Sequence, residues 1–302
     1  MDKYKQYVDI HWWDGVEKRE IENWFKNFSS NTEVAKLILD NVMFYNSKQM
    51  KAYTRYLVNN LKNEVYMKIM EKNEYHYVED HDLEFEWENY LETTQFMPAA
   101  IPDDTASSAY KIIRYWRASL NGTGNNYSSI DNFGNAYSNG KKRFVLVDDF
   151  SGSGKQIIKV LQHEVDIEGK KIQVGKLPEV YSDIEIIIAV YVMHEKAQAN
   201  INSHFRQVKI MAVDYITEDF NYLNDNSIFY KDASFDEKRK IISDIKTIMD
   251  RIKNESSELK ELDSYVLNIP VVFEHGCPNN TLVLLFAHSD SWQQLFKRGK
   301  EL

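Results

Sequence analysis

A chain of 302 residues is enough for one large domain or two small ones, and 43% hydrophobic with 13% aromatic residues is the composition of a folded protein, not a disordered one. A formal charge of −9 argues against general nucleic-acid binding by counterion release and leaves room only for a local basic face. The single cysteine, Cys277, excludes an intrachain disulfide. The longest apolar run, "IIIAVYVM" at 186–193, is too short to span a bilayer. "MDKYKQYVDIHWW" at the start lacks a signal-peptide run, so a cytoplasmic protein with no membrane partner is expected.

Up to about residue 92 the pattern is helical. Ile21, Trp24, Phe25 and Phe28 make one apolar stripe. "SSNTEVAKLILDNV" opens with the capping-box spacing of Ser30 and Glu33 and puts Val34, Leu37 and Ile38 on one face. Met50, Tyr53, Leu57 and Leu61 make a further stripe, and aromatic stripes of this kind are read as core. "EDHDLEFEWE" (79–88) reads as an acidic, solvated connection.

Beyond it, β-rich runs alternate with helical ones. The strand candidates are "TQFMPAAI", "FVLVDD", "IEIIIAVYVM", "QVKIMAVDY", "PVVFE" and "TLVLLFAH". "SSAYKIIRYWRASL", "KQIIKVLQHEV" and "EKAQANINSHF" are amphipathic, and the clearest helix is "SFDEKRKIISDIKTIMDRI", with a Ser234/Glu237 capping box and Ile241, Ile245, Ile248 and Ile252 on one face. Near-continuous apolar strands separated by helices predict an α/β fold whose mostly parallel sheet is covered by helices on both faces. The change of texture divides the chain into a helical region, 1–92, and an α/β domain, 93–302. The Gly-, Asn- and Ser-rich segment 121–142 is expected to be a poorly ordered loop or lid.

"FVLVDDFSGSGKQII" (144–158) carries the chemistry. An apolar strand ends in Asp148 and Asp149, and a short loop of Ser151, Gly152, Ser153, Gly154 and Lys155 leads into a helix. Ligands of an open parallel sheet bind beyond the carboxyl ends of its strands. Glycines let backbone N–H groups approach an anion, and a helix start favours one. Carboxylates on one side and anion-binding amides on the other suit ribose 5-phosphate, whose vicinal hydroxyls donate to the acids. A Walker A loop aligned on Gly154-Lys155 fails at Asp149 and Gln156, and a nucleophile elbow centred on Ser153 fails at Ser151 and Lys155. An ordinary strand-turn-helix accounts for one Asp, one Ser and one Gly, but not for two adjacent acids.

"VLVDDFSGSG" resembles the 5-phosphoribosyl-1-pyrophosphate (PRPP) motif of phosphoribosyltransferases with a Rossmann-like core. Ser151 stands where that family usually has an aliphatic residue, Gly152 where it prefers Thr or Ser, and Gln156 where a small hydroxyl residue is usual. With "HGCPNNTLVLLFAHSDSWQQLFKR" (275–298) and the helical start, the chain looks closer to the phosphoribosyltransferase-like domains of bacterial anti-phage systems. The resemblance implies that Asp148 and Asp149 hold the ribose hydroxyls, directly or through Mg2+, and that residues 151–155 cradle the 5′-phosphate of PRPP or a nucleotide. It implies an effector that transfers or hydrolyses a phosphoribosyl group. Its partners would be companion proteins of a defence operon, including reverse-transcriptase-based systems. The alternative is a non-catalytic sensor of PRPP or a nucleotide that regulates a partner.

In that family the pyrophosphate contact follows an earlier strand, here "PDDTASSAYKIIRYWR", where Thr105, Ser107 and Ser108 offer hydroxyls; a plain capped helix is the competing reading. Lys141, Lys142 and Arg143 either approach pyrophosphate or are simply solvated. Asn279 and Asn280, in the turn "HGCPNNT", either satisfy turn backbone or face the ligand. Cys277 reads as structural, and the eight histidines have no metal-ligand spacing.

Overall fold

The computed structural model describes residues 3–29, 31–104, 107–121, 126–255 and 267–298. The chain forms two compact units. One joins the two ends, residues 1–47 and 216–302; the other is continuous, residues 48–215. The change of texture at 92/93 falls inside the continuous unit.

The continuous unit is built on a four-stranded sheet in the order β2 (Thr94–Pro98), β3 (Arg143–Ser151), β6 (Glu185–His194), β7 (Lys209–Ile216). β2 runs parallel to β3, and β3 parallel to β6, so β3 is an inner strand. Phe144 to Val147 and Ile186 to Met193 are fully buried, as expected of strands covered on both faces. One face carries Met97, Phe144, Leu146, Ile186 and Ile188 into a core shared with α7 (Phe133–Ser138), α8 (Lys155–Leu161) and α10 (Glu195–His204). On the other face Phe96 meets Trp116 of α6 (Ala109–Ser119), ring centroids 5.5 Å apart, and the Tyr191 hydroxyl lies 2.6 Å from Thr54 Oγ1 of α4 (Ser47–Lys72). A two-stranded antiparallel hairpin, β4 (Glu164–Ile167) with β5 (Lys170–Gln173), follows α8.

Two expectations are corrected in this unit. The acidic stretch at 79–88 is not a solvated connection but most of α5 (Asp80–Glu92). Asp80 and Asp82 lie in its first turn, where the helix dipole favours acids. Trp87 and Tyr90 are buried and stacked at 5.5 Å, while Glu84 accepts hydrogen bonds from Lys62 and Tyr66 of α4. Nor is the 121–142 segment all loop: Ile130–Asn132 and Phe133–Ser138 are helical. Ile130, Phe133 and Ala136, three residues apart, are buried, and Phe133 stacks on Phe144 of β3 at 3.6 Å. A few apolar residues at helical spacing outweigh the Asn/Gly/Ser composition around them; residues 122–125 lie outside the described structure.

The other unit packs α1 (Lys3–Asp9), α2 (Lys18–Lys26), α3 (Thr32–Asp40) and α11 (Phe235–Glu255) with the C-terminal segment. β1 (Met43–Tyr45) pairs in parallel with β8 (Val271–Phe273), so the "PVVFE" run belongs to this small sheet. Ser234 and Glu237 form the expected capping box of α11. Asn31 occupies the cap position before α3, and Ser30 lies outside the described residues. "TLVLLFAH" is not a strand: Val283–Leu285 is a 3₁₀ turn in the core. The carbonyl of Leu284 is taken by two indoles, Trp24 Nε1 at 2.7 Å and Trp292 Nε1 at 3.2 Å, rather than by a strand neighbour. A short apolar run fits a buried turn as well as a strand. Among the described residues no helix is long and apolar enough to cross a membrane.

Candidate functional site

The pairing of β2 ends at Pro98 with Val147, closed by Ala99 N–H donating to Val147 O at 2.9 Å. β3 continues beside β6 as far as Ser151 opposite Met193. Asp148 and Asp149 therefore stand where β3 has outrun one of its neighbours. In an open α/β sheet this is the end at which ligands are held.

Both acids are buried, 1% and 5% exposed. Asp148 Oδ1 accepts the Asp149 backbone N–H at 2.9 Å, and Asp148 Oδ2 accepts the Gln156 amide at 3.2 Å. Ser108 Oγ donates across the pair, 2.8 Å to Asp149 Oδ1 and 3.3 Å to Asp148 Oδ1. Burial, and then the neighbouring Asp149, hold the Asp148 carboxyl well above the usual carboxylate range; the Asp149 N–H and the Ser108 hydroxyl pull the other way.

The loop after β3 turns at Gly154, whose φ of +79° suits glycine; a Cβ there would lie 3.1 Å from Ala197 O and 3.2 Å from Ala197 Cα. α10 supports this loop further: Asn200 Nδ2 donates to Ser153 O at 2.8 Å. Ser151, Gly152 and Gly154 are buried, Ser153 is half-buried, and Lys155, the first residue of α8, is exposed.

The structure thus brings together the acids, the 151–155 loop, Ser107 and Ser108. Ser107 Oγ accepts the Ala109 N–H and the Gln156 amide, both at 3.3 Å. Thr105 lies outside the described residues. Lys141, Lys142 and Arg143 are at the opposite end of β3. Five residues of strand, roughly 17 Å, separate Arg143 from Asp148. Lys141 donates to Glu92 O and Asn126 Oδ1, Lys142 pairs with Asp183, and Arg143 pairs with Glu185 and lies over Tyr90. Asn279 and Asn280 belong to the other unit. There Asn279 Oδ1 accepts Arg298 Nε at 3.2 Å and Nη2 at 2.9 Å, while Asn280 is buried and its carbonyl accepts Ile269 N–H. Cys277 is buried, and burial pushes its thiol well up, which suits a structural side chain.

Sequence reasoning missed two supports. Gln156 was visible only as a departure from a small hydroxyl residue; its longer amide crosses from α8 to Asp148, Ser107 Oγ and Ala99 O. Asn200 gave no signal, being one polar residue among several on α10.

The family model described as PRTase-CE matches residues 21–298, a range that includes the paired-acid strand end and the glycine loop. The chain belongs to the PRTase-CE family. Neither the curated proteins nor the solved structures include a significant match. The match takes in most of both units, so the joined chain ends are as much a part of this PRTase-CE protein as the sheet that carries the acids. The phosphoribosyltransferase-like α/β core expected from the motif is the fold observed.

The Asp148 shift makes a testable statement about this PRTase-CE chain. Its folded carboxyl titrates higher than the unfolded one, so between the two values the folded state holds a proton that the unfolded state has released. Stability therefore falls as pH rises through that window. Asp148→Asn, which cannot ionise, is expected to melt above wild type at pH 7.5, by about 2–4 °C for each kcal/mol relieved. The difference should close as pH falls toward 4. Thermal melts at both pH values check this; an Asn variant that melts below wild type at pH 7.5 would show the carboxylate to be stabilising.

Proposed function

We propose that the chain binds PRPP, or a related ribose 5-phosphate or nucleotide, together with Mg2+, and transfers or hydrolyses the phosphoribosyl group. The observation that carries this reading is the adjacent, buried pair Asp148 and Asp149 on an inner parallel strand, followed at once by the Ser/Gly loop, in a chain of a phosphoribosyltransferase-like family. The acids accept the ribose hydroxyls; the backbone of residues 151–155 receives the 5′-phosphate.

The donor set fits Mg2+, which is commonly bound by one or two carboxylates together with substrate phosphates. Two carboxylates crowded in a buried site, one of them held above its usual range, are a repulsion that a divalent cation relieves. Asp148 and Asp149 would hold it, and bound there it supplies positive charge for the leaving pyrophosphate. In the proposed reaction an acceptor nitrogen or water bonds to the anomeric carbon, the bond from that carbon to pyrophosphate breaks, and its electron pair leaves with the pyrophosphate. Carboxylates beside the ring stabilise the oxocarbenium character that develops.

Calorimetry with PRPP and Mg2+, followed by a pyrophosphate-release assay with base, nucleotide and water as acceptors, tests the reading. Ser153→Ala should weaken binding by about two- to thirteenfold, since a single hydroxyl hydrogen bond contributes about 0.5–1.5 kcal/mol and the loop amides remain. A larger loss would give Ser153 a principal role in place of the backbone.

One observation favours the second reading, a sensor that binds the same ligand without turning it over. Lys141, Lys142 and Arg143, three of the cations that could have met pyrophosphate, are engaged at the far end of β3. Binding without pyrophosphate release would select it. The defence setting is supported by the resemblance of the acid loop and the C-terminal segment. A partner that co-purifies from its native operon, and leaves when PRPP is added, would bear on it directly.

A further inference from the structure

We propose that Ser108 is an internal stand-in for a ligand hydroxyl: its Oγ–H bridges Asp148 and Asp149 where a vicinal diol would donate, and a ribose 5-phosphate ligand binds by displacing it. This rests on the ribose 5-phosphate reading above and adds what sets the affinity of that site.

Three observations carry it. The first is position. Ser108 Oγ lies 2.8 Å from Asp149 Oδ1 and 3.3 Å from Asp148 Oδ1, so one hydroxyl spans both carboxylates. The second is burial. At 1% and 5% exposure the carboxylates offer almost no free surface as the site stands, so an entering hydroxyl gains access to both by replacing the one that bridges them. The third is that the start of α6 does not depend on the Ser108 hydroxyl. Ser108 already has helical backbone, φ −56° and ψ −27°, and its side chain makes no capping hydrogen bond; Ser107 Oγ receives the Ala109 N–H. Moving the Ser108 hydroxyl off the acids therefore breaks no cap.

Donor counting gives the direction of exchange. The Ser108 hydroxyl has one proton to divide between two carboxylates, and its longer contact is the weaker one. A vicinal diol has two, one for each acid. Gln156, which donates to the other oxygen of Asp148, need not move. The exchange is therefore favourable, but it forfeits a hydrogen bond to a charged group that the free protein already had, and that forfeit lowers the affinity of the wild-type site.

The test compares wild type, Ser108→Ala and Ser108→Thr by calorimetry, with D-ribose 5-phosphate plus Mg2+ and, separately, inorganic phosphate. Ser108→Ala has no donor to displace and should bind ribose 5-phosphate about ten- to hundredfold more tightly. Ser108→Thr keeps the hydroxyl and should match wild type, and inorganic phosphate, which has no diol, should show no gain in either variant. Unchanged or weaker binding of ribose 5-phosphate by Ser108→Ala overturns the proposal. So does a gain shared by Ser108→Thr or by inorganic phosphate, which would mean that the site had merely loosened. If wild type binds no ribose 5-phosphate at all, the functional reading falls and takes this one with it. If wild type binds and Ser108→Ala gains nothing, this inference alone falls.

Discussion

Asp148→Asn combined with Asp149→Asn is expected to remove PRPP binding almost completely. Hydrogen bonds to charged groups contribute about 1.5–3 kcal/mol each, so losing two charged acceptors weakens binding by roughly 10²–10⁴-fold, before any loss of Mg2+. The double variant should nonetheless fold, because burial already makes the ionised Asp148 a strain on the native state. Loss of binding with an undiminished melting temperature would separate a ligand site from a structural one. Calorimetry with PRPP and Mg2+ decides: binding as tight as wild type would make the acids structural and remove the basis of the proposed function.

Trp24→Ala should be the most damaging single change to the unit formed by the chain ends. Trp24 is fully buried, meets Phe28 edge-on at 4.5 Å and donates its indole N–H to Leu284 O, 260 residues away in sequence. Truncating a buried tryptophan costs about 3–5 kcal/mol, the lost transfer energy plus the cavity. The Leu284 carbonyl would not be orphaned, because Trp292 also donates to it. The loss is therefore one of packing, and Trp24→Phe should recover much of it. Urea unfolding checks this: a loss below about 1 kcal/mol would mean that the two chain ends do not depend on this contact.

Much of the fold could be read from local pattern. The apolar run at 144–147 and the two acids after it placed β3 and its carboxyl end, because a strand buried on both faces needs an unbroken apolar stretch and an ordinary strand-turn-helix accounts for only one of the acids. The isoleucine spacing of α11 and its Ser234/Glu237 box were equally local. Composition misled where a few residues outweighed their neighbours: Trp87 and Tyr90 in an acidic stretch, and Ile130, Phe133 and Ala136 in a polar one.

The sequence by itself determined the α/β class, the inner strand, the acid pair and the glycine loop, since each follows from residue type and spacing over a few positions. Only the tertiary structure decided which remote groups complete them. It closed residues 1–47 with 216–302 into one unit, drew β8 to β1, and turned "VLL" into a 3₁₀ segment under two indoles. It also brought Ser108 and Gln156 onto the acids. The physical reason is that burial and backbone preference are encoded locally, whereas a buried carboxylate or carbonyl takes whatever donor the packing brings within about 3 Å, and no local pattern names that donor.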